Sequence, residues 1–212
     1  MFEKFFVKSA IKSGRWLDLK EEAAMLKRPD AQTLLSMYLS AGKELTNETQ
    51  LKMFELPNAQ ELVETYITFG GELYYRAQLK LFELQDVERL MEMYISTGHE
   101  LWYDVQVNMF ELDNTERLFE MYISSGRGLC YEAQLEMFER PNAQEFVEMY
   151  VSAGRKLDSD AQMKLFELPN AQSLVEKYIS TGRRLCSKAL LKVLELPDAM
   201  ELMRTYLTLR AD

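Results

Sequence analysis

Three columns of residues predict an all-α chain of tandem 28-residue helix-turn-helix repeats. All five prolines, Pro29, Pro57, Pro141, Pro169 and Pro197, fall on one 28-residue register, with Gln85 and Asp113 in the two intermediate places. Seven of the nine glycines, from Gly14 in steps of 28 to Gly182, keep the same register. Tyrosine holds a third fixed place seven times, from Tyr38 to Tyr206. Independent markers that share a period without any insertion are the signature of a repeat array. The repeats run 1-28, 29-56, 57-84, 85-112, 113-140, 141-168 and 169-196, with a half repeat at 197-212. The expectation is one superhelix of about fifteen helices, in a single domain.

With the proline place as position 1, position 2 is Asp or Asn in every copy after the first, from Asp30 to Asp198. These residues are expected to be N-caps whose side chains accept from the first free amides of a helix. Glu61, Glu145 and Glu201, three residues after Asn58, Asn142 and Asp198, would complete capping boxes. Apolar residues follow at positions 3, 6, 7, 10 and 11, as in Ala59, Leu62, Val63, Tyr66 and Ile67. That is the spacing of one helical face and predicts a helix A of about three turns. Glycine at position 14 supplies the left-handed residue that ends it. Leucine at position 17 opens the way to a helix B of about ten residues, as in Ala161-Gln162-Met163-Lys164-Leu165-Phe166-Glu167-Leu168. The tyrosines of position 10 lie on the apolar face and are expected in the core with satisfied hydroxyls.

Helices this short are marginal alone in water, so each must pack on a neighbour. Leu79, Leu81, Phe82 and Leu84 show a helix B with apolar residues on more than one flank, as stacking between repeats requires. In Tyr66, Gly70, Ala77, Phe82 and the boundary prolines, the pattern resembles the α-solenoid superfamily of tetratricopeptide and HEAT-like repeats. The unit is six residues shorter than the tetratricopeptide one, and Glu64 and Glu92 stand where that family has a small residue. The resemblance therefore implies an α-solenoid and no particular ligand clamp.

A net charge of -9 repels phosphate backbones and disfavours nucleic acid and anionic membranes as partners. No window reaches eighteen consecutive apolar residues, and Met1-Phe2-Glu3-Lys4 opens a repeat where a secretory leader would need a basic and then an apolar stretch. A cytoplasmic protein is expected. Cys130 and Cys186 occupy equivalent places two repeats apart. At roughly 8–10 Å per stacked helix they sit on the order of 16–20 Å from one another, beyond the roughly 7 Å limit of a disulfide.

Residues that could carry chemistry are few. The single histidine, His99, stands in a turn with no cysteine or second histidine near it in sequence, so neither a triad nor a metal site is expected. Glu88 with Glu92 and Glu116 with Glu120 are carboxylate pairs at helical spacing, which read as a solvated face. Position 8 (Glu64 to Glu176) and position 27 (Glu55 to Glu195) form two acidic columns, and Lys52, Lys80, Lys164 and Lys192 share position 24. These could pair between repeats or attract a basic partner. The chain is expected to be no enzyme and to need no cofactor.

The remaining signal is where the repeat does not repeat. Positions 18 and 19 carry Tyr74 and Tyr75, then Trp102 and Tyr103, then Cys130 and Tyr131. Elsewhere they carry Thr46 and Asn47, Asp158 and Ser159, or Cys186 and Ser187. The fold therefore does not need rings there. Either they pack over neighbouring turns, or Tyr74, Tyr75, Trp102, Tyr103 and Tyr131, with His99 and Arg127, form a site for a protein or peptide. The function expected is an interaction scaffold, with a nucleic-acid reader of one repeat per base as the alternative. The first repeat is apolar through Phe2, Phe5, Phe6 and Trp16 and has only one neighbour, so pairing of two copies through that end is a further expectation.

Overall fold

The structure, a computed structural model, describes the backbone of residues 2–209 and the side chains of residues 7–209. The side chains of Phe2, Phe5 and Phe6, on which pairing through the first repeat would rest, lie outside the described residues. Among the described residues there are fifteen α-helices and no strand. In order they are α1 (Phe2–Lys12), α2 (Leu19–Leu26), α3 (Ala31–Ser40), α4 (Asn47–Phe54), α5 (Ala59–Thr68), α6 (Tyr75–Lys80), α7 (Val87–Ser96) and α8 (Tyr103–Asn108). They continue as α9 (Thr115–Ser124), α10 (Tyr131–Glu139), α11 (Ala143–Ser152), α12 (Ser159–Lys164), α13 (Ala171–Ser180), α14 (Ser187–Val193) and α15 (Ala199–Thr208). Odd numbers are helix A of successive repeats and even numbers helix B.

The chain groups into two compact bodies, Met1–Val105 and Gln106–Asp212. In the first, α1 packs on α3, α3 on α5 and α5 on α7, while α2 packs on α4 and α4 on α6. In the second, α9, α11, α13 and α15 pack in succession, as do α10, α12 and α14. Each body is thus held by contacts between neighbouring repeats, A on A and B on B. Glycine at position 14 has a positive φ in all seven copies, between 65° and 94°, the left-handed conformation that ends helix A without a Cβ penalty.

Helix B is shorter than its sequence suggests. In three repeats the α-helix stops after six residues and a 3-10 turn follows at Leu81–Glu83, Met109–Glu111 and Leu165–Glu167. Position 28 then leaves the helix in an extended conformation, as at Leu84 (φ -90°, ψ 153°) and Leu168 (φ -82°, ψ 147°). The conformational restriction that proline imposes on the residue before it accounts for Leu168; Leu84 shows that the turn itself imposes the same geometry before Gln85.

The expected N-caps at position 2 are corrected by this turn. None of Asp30, Asn58, Asp86, Asn114, Asn142, Asn170 or Asp198 caps helix A with its side chain, and their φ and ψ cluster near -100° and +30°. The amide at position 3 instead donates to the carbonyl at position 28, as in Ala59 to Leu56 (3.0 Å) and Ala171 to Leu168 (3.1 Å). Leu-Pro-Asn-Ala is therefore a type I turn, with proline preset at its second place and Asn or Asp suited to its third. Freed from capping, the position 2 side chain bonds position 4 of the preceding repeat: Asn142 donates to Glu116 (2.6 Å), and Asp198 accepts from Gln172. A capping box is found elsewhere, at the start of α2, between Asp18 and Glu21.

What joins neighbouring repeats at their centre is a buried polar clasp. Tyrosines 38, 66, 94, 122, 150 and 178 are 0% exposed, and Gln50, Gln78, Gln106, Gln134 and Gln162 at position 22 are at most 3% exposed. The amide nitrogen of Gln78 lies 2.9 Å from the Leu73 carbonyl of its own repeat, and 3.0 Å from both the Tyr94 hydroxyl and the Glu100 carbonyl of the next. Its amide oxygen accepts from the Trp102 backbone N–H (3.0 Å). Tyr94 in turn accepts from the Leu73 N–H (3.2 Å). Gln162 repeats the pattern with Leu157, Tyr178, Arg184 and Cys186. A backbone donor on one side and carbonyls on the other fix which end of the amide points where.

The first copy departs from this pattern, with Glu22 (0% exposed) in the glutamine place. Its carboxylate accepts from the Thr46 hydroxyl (2.7 Å), the Thr46 N–H (3.1 Å) and the Tyr38 hydroxyl (3.4 Å).

Two expectations follow. Gln78→Leu, a side chain the array itself uses at the equivalent Leu190, takes the partner from the Glu100 carbonyl and the Trp102 N–H, while the Leu73 carbonyl keeps the Tyr94 hydroxyl; urea denaturation is expected to give a loss of about 1–3 kcal/mol. A change within about 0.5 kcal/mol would show the clasp to be incidental. The second concerns alkali. Burial pushes the Tyr150 phenol up to about 12, and Tyr66 and Tyr178 rise for the same reason. A raised folded-state value contributes stability that is complete below the ordinary tyrosine range near 10 and disappears as pH climbs through about 12. Absorbance at the tyrosinate band should therefore rise for the buried column only together with loss of helical circular dichroism.

Candidate functional site

The turn between Gly14 and helix B places positions 15 to 19 on one edge of each repeat, and the clasp decides which parts of that turn are free. Position 16 gives its carbonyl and position 18 its N–H to the glutamine of the preceding repeat, as Glu100 and Trp102 do to Gln78. Their backbones are thereby held, and their side chains are left to the edge. Position 15 reaches back instead: Arg183 donates to the Gly154 carbonyl (2.7 Å), and Arg155 to the Gly126 carbonyl. Each places a cation on the end of the previous helix A, where the helix dipole favours it.

His99 takes this same role, with Nε2 3.2 Å from the Gly70 carbonyl and its ring 5.3 Å from that of Tyr94. It is a tethered turn residue. Arg127, in the second body, donates to the Ser125 hydroxyl at 2.8 Å.

Tyr75 and Tyr131 are tied to the following repeat, their hydroxyls donating to Asp104 (2.5 Å) and Asp160 (2.7 Å). The hydrogen bond to each carboxylate raises both phenols above the ordinary tyrosine range. Tyr74 is half-buried. Trp102 and Tyr103 are the outward pair, 48% and 65% exposed, with the Tyr75 ring edge-on to Trp102 at 5.9 Å. The structure brings Tyr75, Trp102 and Tyr103 together within the first body; Tyr131 and Arg127 belong to the second.

Beside the outward pair is a cavity of about 280 Å³ lined by Glu72, Glu100, Leu101, Trp102 and Tyr103. The two glutamates were not singled out from sequence. The signal was available in position 16, which runs Glu44, Glu72, Glu100 and then Gly128, Lys156, Arg184. Such a column varies in charge while its backbone stays engaged, so it marks an edge free to specialise.

Part of the two acidic columns is neutralised by the neighbouring repeat. Glu64 meets Arg89 (3.4 Å) in the first body. In the second, Glu111 meets Arg140 (2.6 Å), Glu139 meets Lys164 (2.6 Å) and Glu148 meets Lys177 (3.0 Å). Exposed pairs of this kind are worth about 0–1 kcal/mol each, so they trim the acidic field more than they hold the fold. Cys130 and Cys186 are both free thiols, and burial raises that of Cys130, which makes it a weaker nucleophile. Among the described residues no group of three or more ligating side chains could hold a metal, and no helix is long and apolar enough to cross a membrane.

Comparison with family models, curated proteins and solved structures finds no match to this chain.

The tethers at Tyr75 and Tyr131 are open to titration. With Asp104→Asn and Asp160→Asn the neighbouring charge is gone, and the two phenols should ionise at lower pH than in the parent chain. Tyrosine ring-carbon chemical shifts followed against pH read this directly; unchanged midpoints would mean that the hydroxyls do not face the carboxylates in solution.

Proposed function

We propose that the chain is a non-enzymatic scaffold, an α-solenoid that presents its turn edge to a protein or peptide. The observation that carries this reading is the exposure of Trp102 and Tyr103 at places that other repeats fill with Thr46 and Asn47 or Asp158 and Ser159. Large rigid rings held on an anchored backbone bury much area on contact at little entropic cost, which is why such rings dominate interface energetics. Here the anchor is the bond from the Trp102 N–H to Gln78. Packing between nearest neighbours supports the scaffold half of the reading, since such arrays gain surface by adding repeats. Free thiols at Cys130 and Cys186 support a reducing compartment, the cytoplasm.

The test uses residues that the array already accepts. Peptides selected from a random display library on the parent protein are measured against the double variant Trp102→Thr with Tyr103→Asn. Affinity should fall at least tenfold while the melting temperature stays the same. Intact affinity with a lowered melting temperature would assign the rings to structure and end this reading.

A further inference from the structure

Glu72 and Glu100 flank the same cavity as Trp102 and Tyr103, and among the described residues neither carboxylate forms an ion pair, although glutamates of the two long columns do. The turn that carries Glu72 also lacks a strong local cation. At position 15, Lys43, Arg155 and Arg183 bring an ammonium or guanidinium back onto the preceding turn, whereas the residue that reaches the Glu72 turn is His99, an imidazole held on Gly70 and Tyr94. Position 15 of the Glu72 repeat itself is Gly71, where a Cβ would sit 2.5 Å from the Tyr66 ring. The result is a pair of negative charges beside an exposed indole, with no ion pair to either carboxylate among the described residues.

Carboxylates beside an aromatic face are the chemistry that receives a positive side chain, because the ring quadrupole and the carboxylates attract the same charge. The chain contains its own example of the ring half of this arrangement: the Lys43 ammonium lies over the Trp16 ring, 4.5 Å from its centre. At about 280 Å³ the cavity is smaller than the roughly 300–1,000 Å³ of sites for small molecules and is on the scale of one protruding side chain.

We infer that the cavity of Glu72, Glu100, Trp102 and Tyr103 is a socket for a lysine or arginine side chain projecting from a basic segment of the partner protein. This rests on the scaffold reading and gives the partner its charge.

The test reads Trp102 directly. The sequence has two tryptophans, so Trp16→Phe leaves Trp102 as the single reporter. Hexalysine and hexaarginine peptides should give a saturable change in its fluorescence, and hexaglutamate none. Glu72→Gln with Glu100→Gln should weaken binding at least tenfold. Glu55→Gln with Glu61→Gln removes the same charge elsewhere in the first body and should weaken binding less than twofold. Equal weakening by the two pairs would reduce the effect to net charge and overturn the socket, as would the absence of saturation. Should Trp16→Phe fail to fold, calorimetric titration of the parent chain and the two double variants carries the same comparison. If cationic peptides fail while library-selected peptides still require Trp102 and Tyr103, the socket falls and the scaffold reading stands. If cationic peptides bind through the glutamates but selected peptides ignore the rings, the failure lies with the scaffold reading's aromatic anchor.

Discussion

The position 22 glutamine is the constraint on which the rest depends. A turn placed against a neighbouring helix pair has main-chain groups that water cannot reach, and each of them left unpaired costs about 1–3 kcal/mol. One side chain answers several of them together, because an amide carries an acceptor and two donors on a single rigid plane. Gln78 meets Leu73, Glu100 and Trp102 in this way, and the Tyr94 hydroxyl closes the figure. The clasp ties a fixed place in one repeat to two fixed places in the next. A repeat lengthened by one residue between them would present a carbonyl where an N–H is needed, which explains why the 28-residue register contains no insertion.

The column's two ends show how far the chemistry can bend. Glu22 has no donor for a carbonyl, and its surroundings change to suit: the Thr46 hydroxyl adds a donor, and Tyr38 turns its own toward the carboxylate. At Leu190 the amide is replaced by an apolar side chain. The carboxylate matched by an added hydroxyl follows from the rule that buried donors and acceptors must balance at a junction.

The columns that define helices were legible in the sequence because each has one physical reading. Glycine at position 14 is left-handed, tyrosine at position 10 is on the apolar face, and both appear so in the structure. Position 2 was misread because Asp and Asn after proline suit a helix cap and a type I turn equally well, and only the backbone angles distinguish them. The glutamines escaped notice because a polar residue on a short helix reads as solvated; recurrence at one place through Gln50 to Gln162, amid apolar neighbours, was the overlooked clue. Of the aromatic cluster, sequence located the rings but not their allegiance. That Tyr75 is bound by Asp104 and Tyr131 by Asp160 depends on which residue the next repeat brings alongside, and no single repeat contains that information.

Most partners of the clasp are main-chain atoms, and this has an evolutionary consequence. An N–H at position 18 is the same donor whether its side chain is Tyr74, Trp102, Cys130 or Asp158. The junction is therefore blind to the identity of the residues that decorate the edge. The polar match at a glutamine–tyrosine junction survives the duplication or exchange of a whole cassette, and the edge can diversify by point substitution while the frame stays still. In such a molecule, adaptation of the surface and preservation of the fold are separate inheritances, carried by different columns of the same 28 residues.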